Sequence, residues 1–257
     1  SIFPPSTENS STMERKHFLK GIGMVGLSSL ALPILNACSK NNSSSGTGDT
    51  DTGSCTVSPT ETAGPFPTSI GDPAFQASSA YVRTDIRDSE AGTPLTVKIL
   101  IRNTNADCAL VTGAFVEIWH CNSKGYYSEF GPSNSGGMQT ADMTALDFLR
   151  GKQVTDSTGT ATFLSIYPGW YSGRAPHIHV HIYNSSGVSK LITQIAFPES
   201  VSNLVYTTGE AYTCKVQNQS NSSDNIFSNS LAANMADSVT GSVSAGYELV
   251  KTIYAAF

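Results

Sequence analysis

The sequence predicts an all-β fold, an antiparallel β-sandwich with short helical turns. Three features carry that expectation. Runs of β-branched and aromatic residues recur through the second half of the chain, turn formers separate them, and stretches of helical period are few and short.

The first strand is expected at 95–101 (LTVKILI) and the second at 114–119 (AFVEIW), both β-rich and alternating. Further runs stand at 152–155, 160–166, 177–183 and 191–197, bounded by Gly, Pro, Asn, Asp and Ser, and 246–254 reads as a closing strand. Helical turns are expected at 144–149, 199–205 and 231–236. No internal repeat is evident, and the size suits one domain spanning residues 55–257.

Residues 1–37 read as an address rather than a fold. Met13 is the first methionine and a candidate natural start. Arg15, Lys16 and Lys20 follow it, then an uncharged stretch from Gly21 to Leu35, then Leu35-Asn36-Ala37-Cys38. Basic, apolar, small-residue order is that of a secretory signal, and a stretch this short, interrupted by Pro33, does not suit a membrane span of ~20 residues. Its ending resembles a bacterial lipoprotein signal, whose cysteine, here Cys38, is lipidated. The run from Arg15 to Lys20 also resembles a twin-arginine export motif with Lys in place of one Arg. The expected location is the bacterial cell envelope, lipid-anchored, with 38–54, which apart from Cys38 and Lys40 is only Ser, Gly, Asn, Thr and Asp, as a flexible tether.

The chain has 257 residues, 39% hydrophobic and only 14% charged, with a net charge of −5. Such a chain has no basic field to attract phosphate, so nucleic acid is not an expected partner. No heptad runs far enough for a long coiled coil. Besides Cys38, the cysteines are Cys55, Cys108, Cys121 and Cys214. An even number in an exported protein points to two disulfides, with three possible pairings. No C-x-x-C spacing is present to hold zinc.

Chemistry concentrates in 163–183. On a strand, His177, His179 and His181 share one face, while Ile178, Val180 and Ile182 share the other and have core character. Two imidazoles so spaced can reach one metal ion. Alone, the pattern is read equally well as exposed strand histidines. Just upstream, however, Pro168-Gly169 forces a turn, followed by Trp170, Tyr171 and Arg174. A tyrosine beside two histidines makes sense if they share a hard cation, because phenolate suits trivalent iron better than zinc or copper.

Five segments together resemble the intradiol ring-cleavage dioxygenases, the family of catechol and protocatechuate dioxygenases. They are TETAGPF (60–66), GAFVEIWHCNSKGYYS (113–128), FLRGKQVTDSTGTATF (148–163), IYPGWYSGRAPHIHV (166–180) and LITQIAFPE (191–199). The resemblance implies that family's β-sandwich, one non-haem Fe(III), and cleavage of a catechol-type ring by O2 to a muconate-type diacid. By motif position it implies Tyr127, Tyr171, His177 and His179 as metal ligands, with Tyr171 also acting in catalysis. Arg174 is implied as the arginine that stabilises charge on the ring, and Gln194, fifteen residues after His179, as a glutamine of the site. Tyr126, expected to point away from Tyr127 on a strand, is the weaker ligand candidate. His181 is additional to the family's pair and is expected to be a partly exposed strand residue. Trp119 and Trp170 are expected to pack.

Two other readings stay open at this level. One is a non-catalytic β-sandwich lipoprotein that binds a ligand or partner and retains a metal site. The other is copper or zinc at His177, His179 and His181, in which Tyr127 and Tyr171 would play no part. The ring substituents, the disulfide pairing and the oligomeric state are not legible in the sequence.

Overall fold

A computed structural model describes residues 55–68, 81–212, 216, 217 and 219–257. The address segment 1–37, the tether 38–54, Cys38 and Cys214 lie outside the described residues.

Among the described residues, nine strands carry the fold. They are β1 (Pro94–Asn103), β2 (Ala109–Leu110), β3 (Phe115–Trp119), β4 (Arg150–Val154), β5 (Thr160–Ile166), β6 (His177–Tyr183), β7 (Ser189–Ala196), β8 (Ser238–Ser242) and β9 (Gly246–Ala255). Helix α1 (Glu199–Thr208) follows β7, and the single-turn helix α2 (Leu231–Asn234) precedes β8. One sheet has the order β2-β1-β9-β8, with β5 also paired to β1; the other has the order β4-β3-β6-β7. The all-β class stands as expected.

One pair departs from the antiparallel pattern: β1 and β9 run parallel, from Leu95 opposite Tyr247 to Asn103 opposite Ala255. Parallel neighbours need a long connection. Here β1 opens the sandwich and β9 closes it, so all the other strands lie between them. The helical turn expected at 144–149 is absent. Leu149 takes a φ of +55°, which does not continue a right-handed helix, and its amide donates to the Ile86 carbonyl at 2.7 Å.

Alternation on β1 and β9 turns Leu95, Val97, Ile99, Ile101, Leu249 and Ile253 inward, against Val116 and Ile118 of β3 and Ile178, Val180 and Ile182 of β6. Burying each such side chain contributes roughly 1.5–3 kcal/mol. β6 is the exception to one-sided burial: all seven residues are buried. Its aliphatic face meets the core, and its histidine face is covered by residues 61–68 and by the loop after β3. This second layer of cover makes the histidine face a site rather than a surface.

Cys55 is bridged to Cys108, tying the start of the described chain to the turn between β1 and β2. Of the three pairings open from the sequence, only the one joining Cys121 to Cys214 remains compatible with this bridge, and Cys214 lies outside the described residues.

Candidate metal centre

Strand β6 supplies the histidines. Its register against β3 sets Trp119 opposite His179, and the indole stacks on the imidazole at 4.7 Å with 4° between the planes. The covering segment comes close because of glycine. Gly64 has a φ of +71°, and a Cβ there would sit 3.0 Å from His179 Cε1.

Tyr127 lies in a loop, not on a strand, so the strand alternation invoked for Tyr126 and Tyr127 does not operate. The Asn122 side chain accepts from the amides of Lys124 and Tyr126, both at 3.0 Å, and turns the chain back. Gly125, at a φ of +87°, lets this turn press against the Trp170 carbonyl. The Gly169 amide donates to the Asn122 carbonyl at 3.1 Å, joining the two tyrosine-bearing turns. Gln139 then fixes Tyr127 from the other side. Its carbonyl oxygen accepts from the Tyr127 amide at 2.7 Å, and its amide nitrogen donates to the Tyr127 carbonyl at 2.9 Å. Tyr126 is half-buried.

These elements bring Tyr127, Tyr171, His177 and His179 together. Tyr127 Oη lies 3.2 Å from His177 Nε2, and His177 Nε2 lies 3.1 Å from His179 Nε2. The Tyr171 ring is 5.8 Å from the Tyr127 ring and 5.7 Å from the His177 ring, centre to centre. Phe66 closes the group, stacked on Tyr127 at 4.5 Å and edge-on to Tyr171 at 5.5 Å.

The donor atoms are in the forms that a cation needs. His177 Nδ1 lies 2.6 Å from the Ala175 carbonyl, which can only accept, so Nδ1 carries the proton and Nε2 presents its lone pair inward. Burial, reinforced by the charge of Arg174, lowers the pKa of His177 to about 3. Burial, with His177 next in effect, holds His179 well below its ordinary value. Both imidazoles are therefore neutral at neutral pH. Burial pushes both phenols up, Tyr127 well above the ordinary value; at Tyr171 the Arg174 guanidinium opposes the rise. Phenols so buried release their protons only to a strong positive charge. Two phenols and two bare imidazole nitrogens facing one another make a donor set that fits a hard trivalent ion.

Arg174 is fixed beside this group. Its Nη1 lies 3.5 Å from Tyr171 Oη, Nη2 donates to Gln194 Oε1 at 2.7 Å, and Nε donates to Asp224 Oδ2 at 2.9 Å. Gln194 in turn donates to the Thr62 carbonyl at 2.8 Å. Both residues expected from the sequence thus stand at the site. Asp224 belongs to a stretch of Ser and Asn that reads from its composition as a surface loop. Its carboxylate is nevertheless fully buried. Burial alone would raise the Asp224 pKa, but the Ala175 amide and the Arg174 guanidinium outweigh it and hold it below its ordinary value. A single acid in a run of Ser and Asn, just before Ile226-Phe227, is the one trace of this in the sequence.

The two remaining histidines among the described residues are structural. His181 was expected to be partly exposed; instead it is 1% exposed, with Nδ1 2.7 Å from Tyr183 Oη and Nε2 2.8 Å from Ser189 Oγ. With both nitrogens engaged it is not a third ligand. Among the described residues no group of three His, Cys, Asp or Glu side chains could hold a metal ion. His120 is held by the Cys121 carbonyl at 2.8 Å and Ser165 Oγ at 2.7 Å. Trp119 and Trp170 pack, as expected.

A cavity of about 490 Å³ opens beside Tyr171 and Arg174, its other lining residues including Pro65, Met138, Asn225 and Ile226. Tyr127 is sealed beneath, while Tyr171 borders this space.

A family model described as dioxygenase matches residues 70–223. Catechol 1,2-dioxygenase 1 of Acinetobacter lwoffii is 30% identical over 154 residues, which are 51% of this chain and 46% of that protein. A catechol 1,2-dioxygenase of Candida albicans is 32% identical over 123 residues, 40% of this chain and 37% of that protein. The chain thus spans about half, or less, of the length of these curated relatives. Among solved structures, an intradiol ring-cleavage dioxygenase from Tetranychus urticae superposes with a TM-score of 0.66 at 28% identity, covering 79% of this chain and 95% of that one. The dioxygenase domain of a carbohydrate-binding fusion from Streptomyces sp. SirexAA-E gives a TM-score of 0.53 at 25% identity, covering 77% and 97%.

Proposed function

Because the chain belongs to the intradiol ring-cleavage dioxygenase family, we propose that it opens a catechol-type ring with O2 at a ferric ion held by Tyr127, Tyr171, His177 and His179. The observation that carries this reading is the arrangement of donors. Tyr127 Oη, His177 Nε2 and His179 Nε2 succeed one another at 3.2 and 3.1 Å, with Tyr171 against them and a buried arginine beside it.

When bound, the ion would supply Lewis-acid chemistry, drawing electron density from a chelated catecholate so that the ring carbon reacts with O2. The chain's own residues do the rest. The two imidazoles enter neutral and need lose no proton to coordinate. Tyr171 borders the cavity, so its Oη, once ionised by the cation that the site would hold, is the atom that would accept a proton from an arriving catechol, whereas Tyr127 is out of the substrate's reach. Arg174, held by Asp224 and Gln194, presents positive charge where negative charge develops on the ring. Phe66 and Trp119 pack around the ligand rings and keep water from the side of the site away from the cavity.

The test is optical and respirometric. Iron-loaded protein should absorb broadly in the visible through tyrosinate-to-iron charge transfer, shift on anaerobic addition of catechol, and consume O2 with formation of a ring-opened diacid. A colourless, iron-loaded protein would overturn the ligand set. Colour without oxygen uptake on any catechol would leave a metal-binding relic.

We also propose that the protein is exported and lipid-anchored through Cys38. The basic-apolar-small order of 15–38 supports this, as does the Cys55–Cys108 bridge, since disulfides persist in oxidising compartments. Incorporation of labelled fatty acid that vanishes in Cys38→Ser is the expected result; label retained in the variant would refute the anchor.

A further inference from the structure

The cavity beside Tyr171 and Arg174, at about 490 Å³, falls in the size range that accepts a drug-sized ligand and exceeds what a bare dihydroxybenzene requires. Its charge is more informative than its size. Among the described residues that line it, Arg174 is the one charged side chain. That guanidinium is already committed to Asp224 at 2.9 Å and Gln194 at 2.7 Å, with Nη1 facing the Tyr171 hydroxyl at 3.5 Å. Its Nε and Nη2 are thus occupied, and the remaining Nη1 is turned to the Tyr171 hydroxyl, at the reacting end of the site. No uncommitted cation on these walls would receive a carboxylate carried by the ring, which would lose hydration without gaining a partner.

Besides Pro65, the apolar side chains of Met138 and Ile226 occupy the same walls. Met138 is 57% exposed, and Ile226 is half-buried. Each lies on backbone joined to residues of the site itself. Met138 precedes Gln139, whose side chain clamps the Tyr127 backbone at 2.7 and 2.9 Å. The Ile226 amide donates to Asp224 Oδ1 at 2.8 Å, on the same carboxylate that orients Arg174. The backbone carrying each apolar side chain is therefore tied to the residues that would act on the ring. Met adapts to irregular shapes, and Ile offers a branched wall.

Building on the catechol-cleaving reading, we infer that Met138 and Ile226 are specificity-determining residues that seat a neutral, apolar ring substituent. Alkyl-substituted catechols are accepted and carboxylated ones refused.

The experiment compares catechol, tert-butylcatechol and protocatechuate on the iron-loaded protein, by kcat/KM and, anaerobically, by the shift in thermal unfolding that each produces. The expected result is a kcat/KM for tert-butylcatechol at least tenfold above that for protocatechuate, and a thermal shift from the alkyl compound alone of the two. The ratio of kcat/KM for tert-butylcatechol to catechol should fall about tenfold in Met138→Ala and in Ile226→Ala, the scale of lost apolar contact in a pocket. Ile226→Lys, which adds a cation to the wall, should move the preference toward protocatechuate. Protocatechuate matching or exceeding tert-butylcatechol would overturn the inference while leaving catechol cleavage standing, and so would unchanged ratios in both alanine variants. Absence of turnover on all three compounds would instead overturn the proposed function. The thermal shifts need no turnover, and equal shifts from the two substituted compounds would then refute the apolar seat as well.

Discussion

Asp224 and Arg174, fifty residues apart, meet in a buried ion pair in which Oδ2 accepts from Nε at 2.9 Å and, at the same time, from the Ala175 amide at 2.7 Å. One carboxylate oxygen therefore sets both the direction of the guanidinium and the course of the backbone leading into the His177–His179 strand. Replacing Asp224 by Asn removes the charge but keeps the shape. The expected outcome is a loss of about 3 kcal/mol of stability, because Arg174 is left as an uncompensated buried charge. It should also lower kcat more than it raises KM. Denaturant unfolding and steady-state kinetics on Asp224→Asn check both.

Arg174→Ala should bind iron and keep its colour, yet lose about 10²–10³-fold in turnover, the scale of removing one preorganised charge-stabilising donor. Arg174→Lys should recover little, since one ammonium cannot reproduce the three-way engagement of Asp224, Gln194 and Tyr171. Oxygen uptake beside the visible spectrum separates loss of chemistry from loss of metal.

Tyr127→Phe and Tyr171→Phe should each weaken the visible absorption of the iron-loaded protein, and a chelator should abolish both colour and oxygen uptake. Tyr127 is fully buried whereas Tyr171 borders the cavity. Addition of catechol should therefore alter the spectrum of Tyr127→Phe more than that of Tyr171→Phe. Equal spectra in wild type and both variants would place the metal elsewhere.

Glu117 gives a pH signature independent of the metal. It is fully buried on β3, accepting from the Thr68 hydroxyl and, at 3.0 Å, from the Tyr183 hydroxyl. Burial raises its pKa from 4.5 to about 7. The folded state therefore holds a proton that the unfolded state has already released between pH 4.5 and about 7, so this group favours folding at low pH and its contribution fades as pH rises through that window. The amount is roughly 3 kcal/mol. Glu117→Gln should remove this downward slope, read from urea unfolding at successive pH values; a slope unchanged by the substitution would show that the carboxyl does not titrate there.

His120 acts in the opposite sense. Burial lowers its pKa to about 4. Below pH 6.5 the unfolded chain takes up a proton that the folded chain refuses, and stability falls as pH drops toward 4. His120→Gln should flatten that limb. Separately, opening the Cys55–Cys108 bridge with Cys108→Ser should cost about 4 kcal/mol, the loop-closure scale for a sequence separation of 53.

Much of the fold was legible because strand patterns are local. Alternation at 95–101 and at 177–183 marked β1 and β6, and the His-x-His spacing placed two imidazoles on one face without any knowledge of the rest. The helix at 144–149 failed because apolar spacing there reflects packing of Met143, Phe148 and Leu149 against Ile166, across the chain rather than along a helix. The burial of His181 is not legible in the sequence for a similar reason. Alternation identifies the face, but what covers that face comes from distant segments.

The sequence by itself determined the donor types, their order along the chain and the strand that carries the histidine pair, since these follow from side-chain chemistry and a two-residue period. Only the tertiary structure decided that the turn at 122–126 lies against the turn at 168–171, that Asp224 is drawn out of a polar loop to hold Arg174, and that β1 and β9 run side by side. Those relations depend on long-range packing around a shared core, where each contact joins residues tens or hundreds of positions apart and no local pattern records the partner.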